Sequence, residues 1–219
     1  MSQSFYLPPS LSLCRDENGL SLVGNGLTLR GDLREMLPRL RPHALSGELL
    51  VKAAKLKNFD GVPTAVDATA GLGEDALLLA AAGFRVTLFE HDPVIAALLR
   101  DSLERAANDP ALAEIVGRME LCEGDSIEAL PRLSPDVVFL DPMFPARQKS
   151  ALIKKKFQLL QQLERPCSDE DALLAAALQA SPRKIVIKRP LKGPFLAGRK
   201  PDYSLAGKAV RYDCIVLPR

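Results

Sequence analysis

The segment Val66-Asp67-Ala68-Thr69-Ala70-Gly71-Leu72-Gly73-Glu74-Asp75 constrains the fold more than any other stretch of this chain. An apolar approach, Thr64-Ala65-Val66, stops at an acid, passes a turn with two glycines and enters an alanine- and leucine-rich run. Strand, glycine turn and helix in that order open a nucleotide-binding βαβ unit. Glycine lets backbone N–H groups approach a ligand where a side chain would collide. The pattern lacks the third glycine of dinucleotide enzymes, and Glu74 follows the second glycine, where a pyrophosphate would be repelled. The charge pattern therefore favours a ligand with a cationic or amino group, such as S-adenosylmethionine (SAM), with Asp67 near the methionine amino group.

With 219 residues, 47% of them hydrophobic, the chain can fill the core of one large α/β domain. No apolar run is long enough for a membrane span, and no basic-then-apolar leader is expected. Cys14, Cys122, Cys167 and Cys214 are widely spaced, as for buried thiols in a reducing cytoplasm. With only His43 and His91 available, no metal site is expected. Charge is unevenly spread. Residues 1–145 carry 13 Lys and Arg against 21 Asp and Glu, whereas residues 146–219 carry 16 against 6. A basic C-terminal third on an acidic body suits a polyanion, although a solvated lysine face gives the same count.

Residues 1–59 are expected to form a small N-terminal lobe. Its parts are a hairpin about Gly24-Asn25-Gly26, a short helix from Asp32 that Pro38 ends, and a helix running to about Lys57. Residues 60–219 should then form the main domain. Strands are predicted over Thr64–Asp67, Arg85–Phe89, Met119–Cys122, Asp136–Leu140 and Lys184–Lys188, with helices over Asp75–Ala82, Asp92–Ala107, Lys149–Gln162 and Asp169–Ala180. A last strand, Val210–Leu217, should lie antiparallel beside the fifth.

The acids at the strand ends carry the chemistry. Glu90, 19 residues after Gly71, stands where a carboxylate accepts from ribose hydroxyls. Asp125 and Ser126 follow the third strand and suit an adenine amino group, although Asp-Ser is equally a helix cap. The fourth strand delivers Asp141-Pro142-Met143-Phe144-Pro145. There the Asp141 carboxylate and Pro142 carbonyl can accept from an exocyclic amine while Phe144 stacks on its ring. Such contacts aim the nitrogen at a methyl sulfonium carbon. Lys149, Lys188, Arg189, Lys192 and Arg199 lie after the fourth strand and around the end of the fifth, where RNA phosphates are expected.

Taken together, the segments resemble class I SAM-dependent methyltransferases. More narrowly, Asp67-Ala-Thr-Ala-Gly-Leu-Gly73, Asp141-Pro-Met-Phe-Pro145, Gln148-Lys-Ser-Ala-Leu152 and Lys188-Arg-Pro190 resemble the ribosomal RNA small subunit methyltransferase J family. The resemblance implies a doubly wound, mostly parallel sheet of seven strands. It also implies cytoplasmic methylation of a guanosine N2 in small-subunit (16S) ribosomal RNA, free or in the 30S subunit. Carried over by position, it places Glu74, Asp75, Glu90, His91, Asp125, Ser126 and Asp141 on the cofactor. The basic, glycine-rich run of the family is reduced here to Arg39 through Gly47.

Three other readings share these features. One methylates another amino group, on adenine or a protein glutamine; those relatives often carry Asn-Pro-Pro-Tyr where this chain has Asp141-Pro-Met-Phe. Another is a non-catalytic RNA-binding protein with the same fold, for which acids at every strand end would have no use. The third, a nicotinamide dehydrogenase, is opposed by Glu74.

Overall fold

The computed structural model describes residues 7–142, Leu159, Leu163 and residues 169–218. Four parallel strands form its centre: β4 (Thr64–Asp67), β5 (Arg85–Glu90), β7 (Val137–Leu140) and β8 (Lys184–Pro190). The expected seven-stranded sheet completes around them in the order β6-β5-β4-β7-β8-β10-β9, where β6 is Met119–Glu123, β9 Tyr203–Ala206 and β10 Val210–Val216. Strand β10 runs antiparallel to β8 as expected, and β9, which no expectation covered, closes the edge antiparallel to β10.

Both faces are covered, so apolar residues alternate between two cores. Ala65, Val137, Phe139, Val186, Tyr212 and Cys214 pack into one, with α3 (Leu49–Ala54) and α4 (Glu74–Ala81). Val66, Val138, Leu140, Ile185, Ile187 and Ile215 pack into the other, against α8 (Glu170–Gln179). Helix α5 (Pro93–Ala107) starts as expected at Asp92, whose Oδ1 accepts from Val94 and Ile95 N–H.

Residues before β4 pack in two ways. β1 (Leu11–Asp16), β2 (Gly19–Gly24) and β3 (Leu27–Leu29) make an antiparallel sheet, one strand more than the hairpin expected. Its Leu11, Leu22 and Leu29 bury against Val94, Ile95 and Leu98 of α5. Asp32 caps a 3-10 turn, Leu33–Met36, but Pro38 does not end the helical run. Proline is tolerated in a first turn, where its missing N–H needs no partner, and α1 (Leu37–Leu40) continues through it. After α2 (Pro42–Gly47), α3 is pinned to the sheet by Lys184, whose buried Nζ donates to the carbonyls of Ala53 (2.8 Å) and Lys55 (2.6 Å). The expected helix over Lys149–Gln162 lies outside the described residues, apart from Leu159, which is helical and buried against α5. Among the described residues no helix is long and apolar enough to cross a membrane.

One buried carboxylate clamps the three-stranded sheet to α5. Asp101 is 3% exposed and pairs with Arg15 Nη1 at 2.7 Å and Arg105 Nε at 2.8 Å. Gly19 lies against the second pair at φ +115°, and a Cβ there would come within 2.5 Å of Arg105 Nε. Burial opposes ionisation of Asp101, but the Arg105 and Leu20 hydrogen bonds outweigh it and hold the carboxyl below its usual range. A carboxylate whose pKa falls on folding stabilises above the unfolded value, and that contribution fades as pH falls through the folded one. Asp101→Ala should therefore lose about 2–3 kcal/mol at pH 7, because Arg105 is left half-buried and unpaired. Urea unfolding should show the deficit shrinking well below pH 4; an equal deficit at both pH values would contradict the ionic account.

Candidate cofactor and amine site

The site lies at the carboxyl ends of the central strands, where parallel sheets leave a crevice. Parity along the strands decides which side chains meet there. Asp67 follows Ala65 by two residues, Asp141 follows Phe139, Lys188 follows Val186, and Tyr212 precedes Cys214, so all four project on the α4 side of the sheet. Lys188 and Tyr212 are direct partners across β8 and β10.

The glycine turn is fixed from both sides. Ala68 N–H donates to the Phe139 carbonyl on β7, and Ala70 N–H to the Phe89 carbonyl on β5, each at 3.0 Å. Thr69 Oγ1 accepts from Asp141 N–H at 2.7 Å, joining the turn to the Asp-Pro segment. Glu90 is 6% exposed, and its Oε2 accepts from Gly71 N–H at 3.0 Å while Oε1 accepts from Asp92 N–H at 2.9 Å. Burial still pushes the Glu90 carboxyl upward against those bonds.

The two glycines have different duties. Gly73, at φ +78°, caps α4, and a Cβ there would sit 2.7 Å from Leu99 Cδ1. It is a packing glycine. Gly71, at φ +54°, has nothing among the described residues within 4 Å of where its Cβ would be, so on that side its backbone is open. An open backbone edge ringed by Asp67, Asp75 and Glu90 fits a ligand with hydroxyls, an amino group and a positive centre.

The charges beside that edge are strongly coupled. Asp67 is 1% exposed, with Oδ1 accepting from Thr69 N–H at 3.1 Å. Burial, then the Asp75 carboxylate, pushes its pKa up to about 8. Lys188 Nζ lies 2.5 Å from Asp75 Oδ2 and 2.9 Å from Asp141 Oδ2. Those two carboxylates outweigh the cost of burying the ammonium and hold it charged well above the usual lysine range. Asp141 is raised by burial, with Lys188 pulling the other way. Tyr212 is pushed up to about 12 by burial and by Asp75.

The remaining predicted residues fall in several places. Glu74 and Asp75 open α4, with Glu74 exposed. His91 is exposed, its Nδ1 3.7 Å from Glu90 Oε1. Asp125 caps α7 (Ser126–Ala129), its Oδ1 accepting from Ile127 N–H at 2.8 Å, and Ser126 is buried behind it. Pro142 is buried, and Phe144 and Lys149 lie outside the described residues.

Two basic residues expected on RNA are otherwise engaged. Lys188 is held by the two acids. Arg189, one position on, points to the α8 face, where its fully buried side chain donates to the Pro194 carbonyl at 2.9 Å and pairs with Glu170 at 3.2 Å. Neither presents a free charge to a phosphate, because strand alternation sends one to each core. Lys192 and Arg199 are exposed on the loop that follows. Sequence reading missed Arg211, which props this loop by donating from Nη1 to the carbonyls of Pro190, Leu191 and Gly193. It also missed Thr69, in the turn after β4, and Tyr212, for which only strand alternation carried a signal.

Residues 29–217 match the family model of SAM-dependent methyltransferases. The chain is 49% identical over 175 residues to the ribosomal RNA small subunit methyltransferase J of Aeromonas salmonicida, covering 78% of this chain and 70% of that protein. This chain belongs to the methyltransferase J family. A second member, from Pseudomonas aeruginosa, is 48% identical over 172 residues, covering 77% of this chain and 65% of its own. The chain thus spans about two thirds of the length of these relatives. The crystal structure of a SAM-dependent methyltransferase from Neisseria gonorrhoeae superposes with a TM-score of 0.76 at 34% identity, covering 96% of this chain and 85% of that one. The fold is therefore that of the class I methyltransferases, and the cofactor of the family is SAM.

Separate duties for the glycines predict separable defects. Gly73→Ala should lower unfolding stability by about 2–3 kcal/mol through the Leu99 clash and the left-handed backbone. Gly71→Ala should cost about 1 kcal/mol of stability yet weaken SAM binding about tenfold or more, the loss of one backbone contact. The opposite pattern in paired unfolding and calorimetry runs would reverse the assignment.

Asp67 adds a proton linkage. Its folded pKa lies above the unfolded one, so the free protein should lose stability as pH rises from about 4 to about 8. A cationic ligand beside it favours the carboxylate. SAM binding at pH 7 should release nearly one proton, read from binding heats in buffers of different ionisation enthalpy. Asp67→Asn should abolish the release, and native binding without it would remove Asp67 from the ligand's field.

Proposed function

We propose that this chain transfers the methyl group of SAM to the exocyclic N2 of a guanosine in small-subunit ribosomal RNA. Two kinds of support meet here: the relatives named as small-subunit ribosomal RNA methyltransferases, and the pairing of Asp141 and Pro142 with the glycine turn through Thr69. That pairing is the observation that carries the reading, because the Asp141 backbone is tied to the glycine turn, which supports a role for Asp141 and the next carbonyl as amine acceptors.

In this reading Gly71, Asp67, Glu90, Asp125 and Ser126 hold the cofactor, with Glu74, Asp75 and His91 around them. Bound SAM supplies an electrophilic methyl on a positive sulfur. Asp141 and the Pro142 carbonyl accept from the two N–H bonds of the target amine. The lone pair of an aromatic amine is delocalised into its ring, and two acceptors below the ring plane favour a pyramidal nitrogen whose lone pair points at the methyl. Phe144 is the expected stacking partner of an extruded base. The surplus proton leaves once the bond has formed, so positioning matters more than base strength. Lys192 and Arg199, exposed on the Arg211-propped loop, contact RNA phosphates.

The test is direct. Purified protein, SAM with a labelled methyl and small subunits from a strain lacking the gene should yield N2-methylguanosine on digestion and mass spectrometry. Asp141→Ala should lower the rate about 100-fold, the scale of lost positioning. Replacing both Lys192 and Arg199 should flatten the salt dependence of RNA affinity by about two phosphate contacts. Label on adenosine or on protein instead would overturn the guanine assignment.

A further inference from the structure

Lys188 lies inside the site without an assigned part in the reaction. Its ammonium is shared between a carboxylate of the glycine-turn helix, Asp75, and the carboxylate beside the amine position, Asp141, at 2.5 and 2.9 Å. β7 and β8 run parallel with Leu140 opposite Ile187, so Asp141, just past the end of β7, and Lys188, still within β8, sit at the same level. The lysine side chain is 25% exposed and that of Asp141 36%, so the pair lines the site rather than lying behind it. Asp67 from β4, Asp75 from α4, Asp141 after β7, Tyr212 from β10, Arg39 from α1 and the neighbouring Arg189 are the charged and titratable groups around it. The ammonium is already taken up by two carboxylates, Asp75 and Asp141, which argues against RNA contact by Lys188.

We propose that Lys188 is a positioning residue for methyl transfer. It keeps the Asp141 carboxylate ionised, turns Oδ2 toward itself so that Oδ1 faces the target amine, and ties that carboxylate through Asp75 to the cofactor turn. The proposal rests on the reading that Asp141 accepts from the target amine. Its logic is that of partial burial next to a like charge. Half-buried Asp141, beside the Asp75 carboxylate, would hold a proton without a cation, and a protonated carboxyl offers a hydrogen where the amine needs an acceptor. A single ammonium bridging both acids also makes the amine side sensitive to how α4 sits against the cofactor.

Rates with Lys188→Met and Lys188→Arg at saturating SAM, from pH 6 to 9.5, test this. Native turnover should be nearly flat over that range on its acid side. Lys188→Met should lose about 10- to 100-fold in kcat at pH 7, keep its KM for RNA within about twofold, and recover progressively as pH rises and Asp141 ionises unaided. Lys188→Arg should restore the charge, and with it a flat profile at an intermediate rate. The salt dependence of RNA binding should not change in either variant. An unchanged kcat, or a flattened salt dependence with native kcat, would overturn the proposal and return Lys188 to the RNA. A pH-independent loss with early melting that arginine does not rescue would make it a structural ion pair only. The native reaction run alongside separates the two readings. The same Lys188 profile with product on another amine overturns the guanine assignment alone, whereas native product with unaffected variants overturns the Lys188 proposal alone.

Discussion

Three acids meet at the carboxyl ends of the central strands, and the site depends on the Lys188 ammonium that bridges two of them, Asp75 and Asp141. Asp67, Asp75 and Asp141 surround Lys188, and Asp67, pushed up by burial and then by Asp75, keeps its proton to about pH 8. A crevice built this way carries spare negative charge that a cationic ligand can satisfy. The acidic strand ends that exclude a pyrophosphate are therefore what suit a sulfonium cofactor, and the turn glycine with an open side is the one proposed to meet it.

The scaffold supplies the alignment. Strand β4 is held between β5 and β7, and its exit turn is hydrogen-bonded to both, through Phe89 and Phe139. Glu90 and Thr69 then fasten the turn to the acids that serve it. Glu90 thus braces the backbone of the proposed cofactor edge at both Gly71 and Asp92. On the other side of the sheet the Arg211 fork does the same for the basic loop, holding three carbonyls so that Lys192 and Arg199 are presented from a fixed frame.

Most of the fold was legible because doubly covered strands read as short apolar runs and their acids fall at the ends. The strands β4 to β8, the Asp92 cap and the antiparallel β10 were all visible in this way. β1 and β9 were not: they are partly exposed edge strands of mixed polarity, and their pairing comes from tertiary contact rather than from pattern. The basic residues were the harder case. Lys188 and Arg189 read alike in sequence as surface charge, yet alternation sends the first toward α4 and its acids and the second toward Glu170 and a carbonyl. Charge counting registers neither partner, because the partners lie far along the chain. Pro38 shows the same limit, since a proline reads as a stop unless it falls in the first turn of the next helix.

A crystal structure of the protein with S-adenosylhomocysteine tests the central claim most directly. The account predicts ribose hydroxyls on Glu90, the methionine amino group near Asp67, the backbone of Gly71 against the ligand, and the sulfur facing Asp141 with Lys188 still bridging Asp75 and Asp141. A ligand bound elsewhere, or bound here with its sulfur turned away from Asp141, would contradict it.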